Sequence, residues 1–497
     1  MTKTLSTSTS SLTKRKPAKA QVKLTSACDR YIPPEVDSEL TPLTRAFVHS
    51  LFDRIDELTK RIEKLEAKVS AKLTPHNSSL PPSTQHPHAK LPLKKSKSNR
   101  KQGGQPGHKR HTRPLVPTEQ CDRVEKLSPT HCRCCQGALT GTDPNPWRHQ
   151  VLELPPIKPH ITEWQLSQLF CKRCCITTRA PLPLGEPRGY YGPRLMAFSA
   201  LLMTHFRQSK RKTAQFLTDF LNTPCSAASA VKMQTIVSEA LAQPHEDLRA
   251  ALQNEFTVHM DETPTKQKNE KAWMWVATSS RIAVFAIFSS RAATAIGHLL
   301  GERFEGIVCC DRAKMYYVLK HIQWCWAHLV RDIQAMIDSQ VPDRVHIGKE
   351  LDEQAKAMFH QWHRYKSQEL AWEEFQKEVI PIAKQFREIL YQGGGSHDGK
   401  LRRQCLSLHA HHENLWRFLC NPGVEPTNNA AERALRGPVI YRKLSFGTQS
   451  VEGSRFVERI FSVVETCRLQ KRNCYEYLVQ AVTAKLEGKS APNILDP

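Results

Sequence analysis

At 497 residues with a formal charge of +24, the chain is too long for a single core and too basic to lack a polyanionic partner. No apolar run reaches membrane-spanning length and the Ser/Thr/Lys-rich start has no apolar signal core, so a cytoplasmic (nucleoid-associated) protein with no membrane partner is expected. Sixteen cysteines without a secretory signal point to reduced thiols and metal ligation rather than a disulfide framework.

Residues 1–42 are poor in large apolar groups and read as a disordered basic tail. The segment 43–74 carries Val48, Leu51, Ile55, Leu58, Ile62, Leu65 and Val69 at alternating steps of three and four. In heptad register every a position is Val or Ile and every d position is Leu, the combination that favours a parallel two-stranded coil. A homodimer through this coiled coil is therefore expected, with Arg61 and Glu66 placed as a g–e′ pair. An amphipathic helix packed on its own protein is the competing reading.

Residues 75–118 form a Pro/Gly/Ser-rich arm with no acid between positions 90 and 113. Its Lys94, Lys95, Lys97, Arg100, Lys101, Lys109, Arg110 and Arg113 repel one another unless phosphates neutralise them. Each phosphate contact adds about 0.9 to the salt slope of binding, so the arm reads as a sequence-independent DNA-binding element as well as a linker.

Residues 119–180 hold Cys132 and Cys135, then Cys171 and Cys174, as two CxxC pairs about 35 residues apart. Two such knuckles suit a tetrahedral structural Zn²⁺, with Gly137 allowing the turn after the first pair. The runs 147–156 and 160–170 read as strands that fold the second pair back onto the first. His131, Cys134 and Cys175 stand beside the candidate ligands and leave their identity open, and buried free cysteines are the bland alternative.

Residues 187–245 read as helix, Lys/Arg-rich turn, helix, and a third helix after Asn222-Thr223-Pro224. This is either a helix-turn-helix reader that places 229–237 in a groove or a packing collar on the domain that follows.

The region 250–480 reads as three strands (257–262, 272–278, 282–288), a helical stretch through 297–300, and a fourth strand, 306–310. Asp261 lies at the end of the first and Asp311 follows the fourth. Neighbouring strands that end in Asp at one sheet edge bring their carboxylates together, an arrangement stabilised by cations. Glu432 follows Thr427-Asn428-Asn429, a strong N-cap cluster, and so sits in the first turns of a helix where a carboxylate suits the dipole.

Each acid alone reads as an ordinary turn or surface residue; their order along the elements is that of a ribonuclease-H-like domain. The stretch 321–328 reads as a fifth strand running into a helix. Its Cys325 and His328 cannot close a metal site by themselves and are expected to support the fold near the carboxylates. Helix-forming runs fill an insertion at about 340–420, and the last helices cover the core before a tail, 481–497. Arg433, Arg436, Arg442 and Lys443 follow Glu432 and suit phosphate clamping. No nucleotide fingerprint is present, so ATP is not implied.

The segments VHMDETP, CDRAKMYY, CWAHLVRD and PTNNAAERALRGPVIYRK resemble the "insertion sequence 66" family of bacterial transposases, of the DDE class, over roughly residues 45–490. The basic arm is similar to the family's KRKxGGQPGH stretch, a zinc-finger-like module belongs where the CxxC pairs stand, and Thr427 replaces an Asp common among relatives. The resemblance implies a multidomain α/β protein whose ribonuclease-H-like core carries an α-helical insertion. It implies Asp261, Asp311 and Glu432 as a catalytic triad holding Mg²⁺ (or Mn²⁺). The activity implied is DNA cleavage at insertion-sequence ends and strand transfer into target DNA, with double-stranded DNA as substrate and small accessory transposition proteins as further partners. Two cations about 4 Å apart serve both steps, because only the nucleophile differs. The alternatives are a metal-dependent nuclease without strand transfer and a catalytically idle DNA-binding regulator.

Overall fold

A computed structural model of the chain describes residues 34–70, 75, 77–78, 114–339 and 341–496. The tail before residue 34 and the arm residues Lys94, Lys95, Lys97, Arg100, Lys101, Lys109, Arg110 and Arg113 lie outside these. After a short α1 (Pro34–Glu39), α2 (Pro42–Ser70) is one unbroken helix through the whole heptad stretch. Its Leu51, Ile55 and Leu58 stay 46, 43 and 46% exposed, so this chain leaves that middle part of the apolar stripe uncovered.

The cysteine region departs from expectation. No strand forms across 147–156, and of 160–170 only the end pairs. The ladder is instead a short antiparallel hairpin, β1 (Gln168–Phe170) with β2 (Thr177–Arg179), wrapped around the second CxxC. Pro155, Pro156 and Pro159 lack the N–H a ladder needs, and the apolar groups Val151, Leu152, Leu154 and Ile161 of that stretch are exposed.

Four helices follow: α3 (Pro193–Met203), α4 (Lys210–Leu221), α5 (Ala227–Ala240) and α6 (Ala242–Leu252). Ser209 and Ser226 cap α4 and α5 by accepting from Lys212 and Ser229 N–H, and Asn222 ends α4 in the left-handed conformation.

The sheet comprises β3 (Thr257–Gln267), β4 (Glu270–Thr278), β5 (Ala283–Phe288), β6 (Ile307–Cys310) and β7 (Ile322–Trp324), with α7 (Thr294–Leu300) between β5 and β6. Its order is β5-β4-β3-β6-β7: an antiparallel meander, then two parallel strands. β3 and β4 are longer than their apolar runs because Lys268 and Asn269, both at positive φ, make the tight turn that joins them. In the parallel pair, Thr257 faces Ile307, Val258 faces Val308 and His259 faces Cys309. Carried two residues further, that constant register sets Asp261 level with Asp311.

Leaving β7, the chain enters α8 (Trp326–Ile337) and the helical insertion: α9 (Pro342–Lys366), α10 (Trp372–Gly394), α11 (Gly399–Ala410) and α12 (Glu413–Trp416). Trp326, Phe386 and Trp416 pack edge to face at its centre. Buried Gln323 of β7 anchors it, donating to Leu415 C=O at 3.1 Å and accepting from Phe418 N–H at 2.9 Å.

Then come α13 (Asn429–Ser445), α14 (Val451–Leu469) and α15 (Cys474–Leu486). α5 buries Ala230, Met233 and Val237 and packs on α3, α14 and α15, while Val231, Lys232 and Thr235 on its other face stay exposed. Among the described residues no helix is long and apolar enough to cross a membrane.

The exposed edge of the sheet is closed by side chains. On α14, Thr466 Oγ1, Ser462 Oγ and Glu458 Oε1 accept from the N–H groups of Ala283, Phe285 and Ile287 at 3.0, 2.8 and 2.6 Å. Helix residues four apart rise about 6 Å and alternate strand residues about 6.6 Å, so the two rows stay in step. The helix thus replaces a missing strand at an edge that would otherwise invite pairing. Glu458 is fully buried, and burial pushes its carboxyl up to about 7 although Arg455 beside it acts in the opposite sense.

The folded chain therefore holds a proton that the unfolded chain releases near the ordinary Glu range. This contribution to stability is complete below that range and is lost as pH rises toward 7. It amounts to a few kcal/mol, on the order of 3. Urea midpoints at pH 5 and pH 8 should differ less in Glu458→Gln, which keeps the acceptor for Ile287, than in the native chain.

Candidate active site

Asp261 lies midway along β3 and not at the strand end expected, because pairing with β4 runs on to Gln267; its Oδ1 accepts from Glu262 N–H at 2.9 Å. Asp311 is the first residue past β6, and its Oδ1 accepts from Ala313 N–H at 2.9 Å, an Asx turn that fixes the carboxylate at the strand end. Glu432 lies in the first turn of α13.

What brings α13 to the strand ends is Asn428, which is 1% exposed. Its Nδ2 donates to Met260 C=O at 2.6 Å and its Oδ1 accepts from His259 Nδ1 at 3.3 Å. Its backbone N–H donates to Cys325 Sγ at 3.1 Å. Asn428 occupies the N-cap position, yet its side chain makes no cap bond. The N-cap role expected of the Thr427-Asn428-Asn429 cluster is thus corrected: the Asn428 amide donates to a buried strand carbonyl and accepts from His259 in place of a helix N–H.

The Asp261 carboxyl is held well above the usual carboxylate range, first by burial, then by the charge of Glu262, and further by the charges of Asp311 and Glu432. Asp311 and Glu432 are thus both near enough for their charges to act on Asp261. Nearby cations only partly answer them. Arg291 Nη2 stands 3.8 Å from Asp311 Oδ2, and Arg331 Nη2 stands 3.6 Å from Glu432 Oε1, both beyond hydrogen-bonding reach. Glu432 Oε1 is buried without a hydrogen-bond partner. Half-buried carboxylates left in this state suit hard divalent cations.

A brace beside the acids went unread in the sequence. Glu262, with a side chain 1% exposed, accepts from Tyr316 Oη at 2.6 Å and from Arg291 Nε at 2.6 Å. Arg291 in turn lies over the Trp273 ring at 5.2 Å. The Asp-Glu dipeptide was the available signal, but nothing local says which of two adjacent acids turns inward.

Along α13, Arg433, Arg436 and Lys443 are exposed and Arg442 is half-buried. Among the described residues none of the four has an acid partner. Arg436 and Lys443 follow Glu432 by about one and three turns and so share its face.

Each CxxC forms its own knuckle. Cys132 and Cys171 N–H donate to Gly137 and Ile176 C=O, both at 2.9 Å, and each C=O accepts from the residue four later. That fourth residue, Gln136 or Cys175, takes positive φ, so the turn expected of Gly137 belongs to Gln136. Backbone N–H groups, Cys135's foremost for Cys132 and Cys174's for Cys171, pull these thiols below their ordinary range, as a metal-ligating thiolate requires. Among the described residues, the group of three ligating side chains whose atoms lie within 4.8 Å of one another is Cys325, His328 and Glu432; neither the four knuckle thiols nor Asp261, Asp311 and Glu432 form such a group.

A family model described as "Transposase IS66 family" matches residues 188–455, and one described as "Family of unknown function (DUF6444)" matches 31–114. Two Sinorhizobium fredii proteins are similar. Uncharacterized protein y4qI is 26% identical over 260 residues, 46% of this chain and 47% of the relative. Uncharacterized protein y4hP is 24% identical over 412 residues, 70% and 69% of the two. The chain thus spans about half the length of the first and over two thirds of the second.

If Asn428 positions Glu432, replacing it should loosen metal binding as well as the fold. Asn428→Ala strands the Met260 carbonyl and should lower stability by about 1–3 kcal/mol. Asn428→Asp, which cannot donate to that carbonyl, should be no better. Both should weaken Mn²⁺ binding by about 10–100-fold in calorimetric titration.

Proposed function

Because the chain belongs to the IS66 family of transposases, we propose that it cleaves DNA at the ends of an insertion sequence and transfers the freed strand into target DNA. Asp261, Asp311 and Glu432 are the residues proposed to hold Mg²⁺ (or Mn²⁺). The observation that carries this reading is that the charges of Asp311 and Glu432 act on Asp261, the two aspartates set level by the β3–β6 register and Glu432 delivered by Asn428. The strand order, with acids on the first and fourth strands, is the one expected of a ribonuclease-H-like domain.

Bound divalent cations would supply an activated water or 3′-hydroxyl and a stabilised leaving oxygen. The chain's own part is positional. The Glu262–Tyr316–Arg291 brace fixes the backbone beside Asp261. Arg436 and Lys443, on the Glu432 face of α13, together with Arg433 and Arg442, clamp the phosphodiester next to the carboxylates.

Other regions serve grip and assembly on this reading. The arm around Lys94–Lys101 and Lys109–Arg110 supplies sequence-independent contacts to double-stranded DNA. Cys132, Cys135, Cys171 and Cys174 supply a structural Zn²⁺ site, supported by the two formed knuckles and their lowered first thiols. The uncovered stripe of Leu51, Ile55 and Leu58 supports a parallel dimer, and small accessory proteins remain candidate partners.

With terminal-repeat DNA and Mg²⁺, the native chain should yield both cut and joined products. Asp261→Asn, Asp311→Asn and Glu432→Gln should each lose at least about a hundredfold in cleavage rate while still binding the ends. Cut DNA with no joined product would favour a nuclease, and variants as active as the native chain would remove these residues from the chemistry. Independently, Leu51→Glu with Leu58→Glu should turn a dimer into a monomer in analytical ultracentrifugation.

A further inference from the structure

Glu432 lies far along the chain from Cys325 and His328, yet the ligating atoms of all three lie within 4.8 Å of one another. Cys325 follows β7 and stands at the N-cap of α8; His328 lies one turn along that helix, so thiol and imidazole face the same way. Glu432 arrives from the first turn of α13, whose preceding residue Asn428 donates its N–H to the Cys325 sulfur at 3.1 Å. The same contact that docks α13 thereby assembles the group.

Two of its atoms lack a use within the chain. His328 Nδ1 and Glu432 Oε1 are both buried without a hydrogen-bond partner, 3.8 Å apart. That separation is too long for a hydrogen bond between them, but it is near the about 3.5 Å edge of a tetrahedron built on zinc–ligand bonds. Arg331 approaches the same Glu432 oxygen at 3.6 Å, which steadies the carboxylate without satisfying it. A thiolate, an imidazole and a carboxylate suit a borderline-soft cation, whereas the neighbouring Asp261 and Asp311 offer only oxygen.

We propose that Cys325, His328 and Glu432 form a binding site for a zinc-class divalent cation, with a fourth position open to water. The site is distinct from the all-oxygen site and shares Glu432 with it. The sharing, though not the site, rests on the reading of Glu432 as the third carboxylate above. Binding forms a sulfur–metal bond and releases the Cys325 thiol proton to solvent, with no change of oxidation state. Since a carboxylate has two oxygens, the bound ion would fix one and orient the other, making Cys325 and His328 positioning residues for Glu432.

The test uses the full chain, stripped with chelator and reloaded with Zn²⁺ or Co²⁺, with metal per chain read by atomic emission. The native chain should hold one equivalent more than Cys325→Ser or His328→Ala, and Asp261→Asn and Asp311→Asn should keep that equivalent. A chain with Cys132, Cys135, Cys171 and Cys174 all changed to Ser leaves α8 and α13 untouched. It should still bind one Co²⁺ and show a sulfur-to-cobalt charge-transfer band. Equal metal content in the native chain and the Cys325 and His328 variants would overturn the proposal. So would a knuckle-free chain with no such band, a result that stands even if the Cys325 variant fails to fold. Neither readout involves DNA cleavage, so loss of activity in the triad variants and loss of this equivalent are separate outcomes.

Discussion

A single buried side-chain amide holds this molecule's chemistry in register. Asn428 donates to the Met260 carbonyl and accepts from His259, so the start of α13 is bound to the β3 strand one residue short of Asp261. Its backbone N–H reaches the Cys325 sulfur at the start of α8. Burial lowers the His259 pKa, and because the Asn428 amide oxygen can only accept, the ring nitrogen facing it is the one that carries a proton. Three elements distant in sequence thus meet at one residue, and Glu432 follows a single helical turn later. An amide suits this position because it donates and accepts at once.

Around that joint the fold keeps like charges close without neutralising them. The β3–β6 register sets Asp261 level with Asp311, and Glu262 is held inward beside them by Tyr316 and Arg291. Burial and the charges of Glu262, Asp311 and Glu432 raise the Asp261 carboxyl, so it holds its proton more tightly than a separated acid would. The scaffold that sustains this repulsion is correspondingly well tied. α14 closes the β5 edge with Thr466, Ser462 and Glu458, and Gln323 fastens the helical insertion to β7.

Much of this was legible in the residues, and the failures have identifiable causes. The strand order and the placing of Asp261 and Asp311 followed from β-branched and aromatic runs, and that of Glu432 from the Thr427-Asn428-Asn429 cluster before its helix. The extensions of β3 and β4 did not, because their distal residues are Lys, Gln and Glu and pair through backbone alone. The strands expected between the cysteine pairs failed on three prolines. Asn428 carried a genuine N-cap signature, but composition cannot say which way a side chain turns. Cys325 and His328 looked like an incomplete set because their third neighbour, Glu432, lies far along the chain and is met only in three dimensions.

The shared cation site proposed for the three carboxylates is tested directly with Fe²⁺ in place of Mg²⁺. A bound Fe²⁺ with ascorbate and peroxide generates hydroxyl radicals that cut the backbone near the ion. Mass spectrometry of the fragments should place cuts beside Asp261, Asp311 and Glu432 together, and excess Mg²⁺ should suppress them together. Cuts beside only one of the three, or a pattern indifferent to Mg²⁺, would contradict a shared cation site.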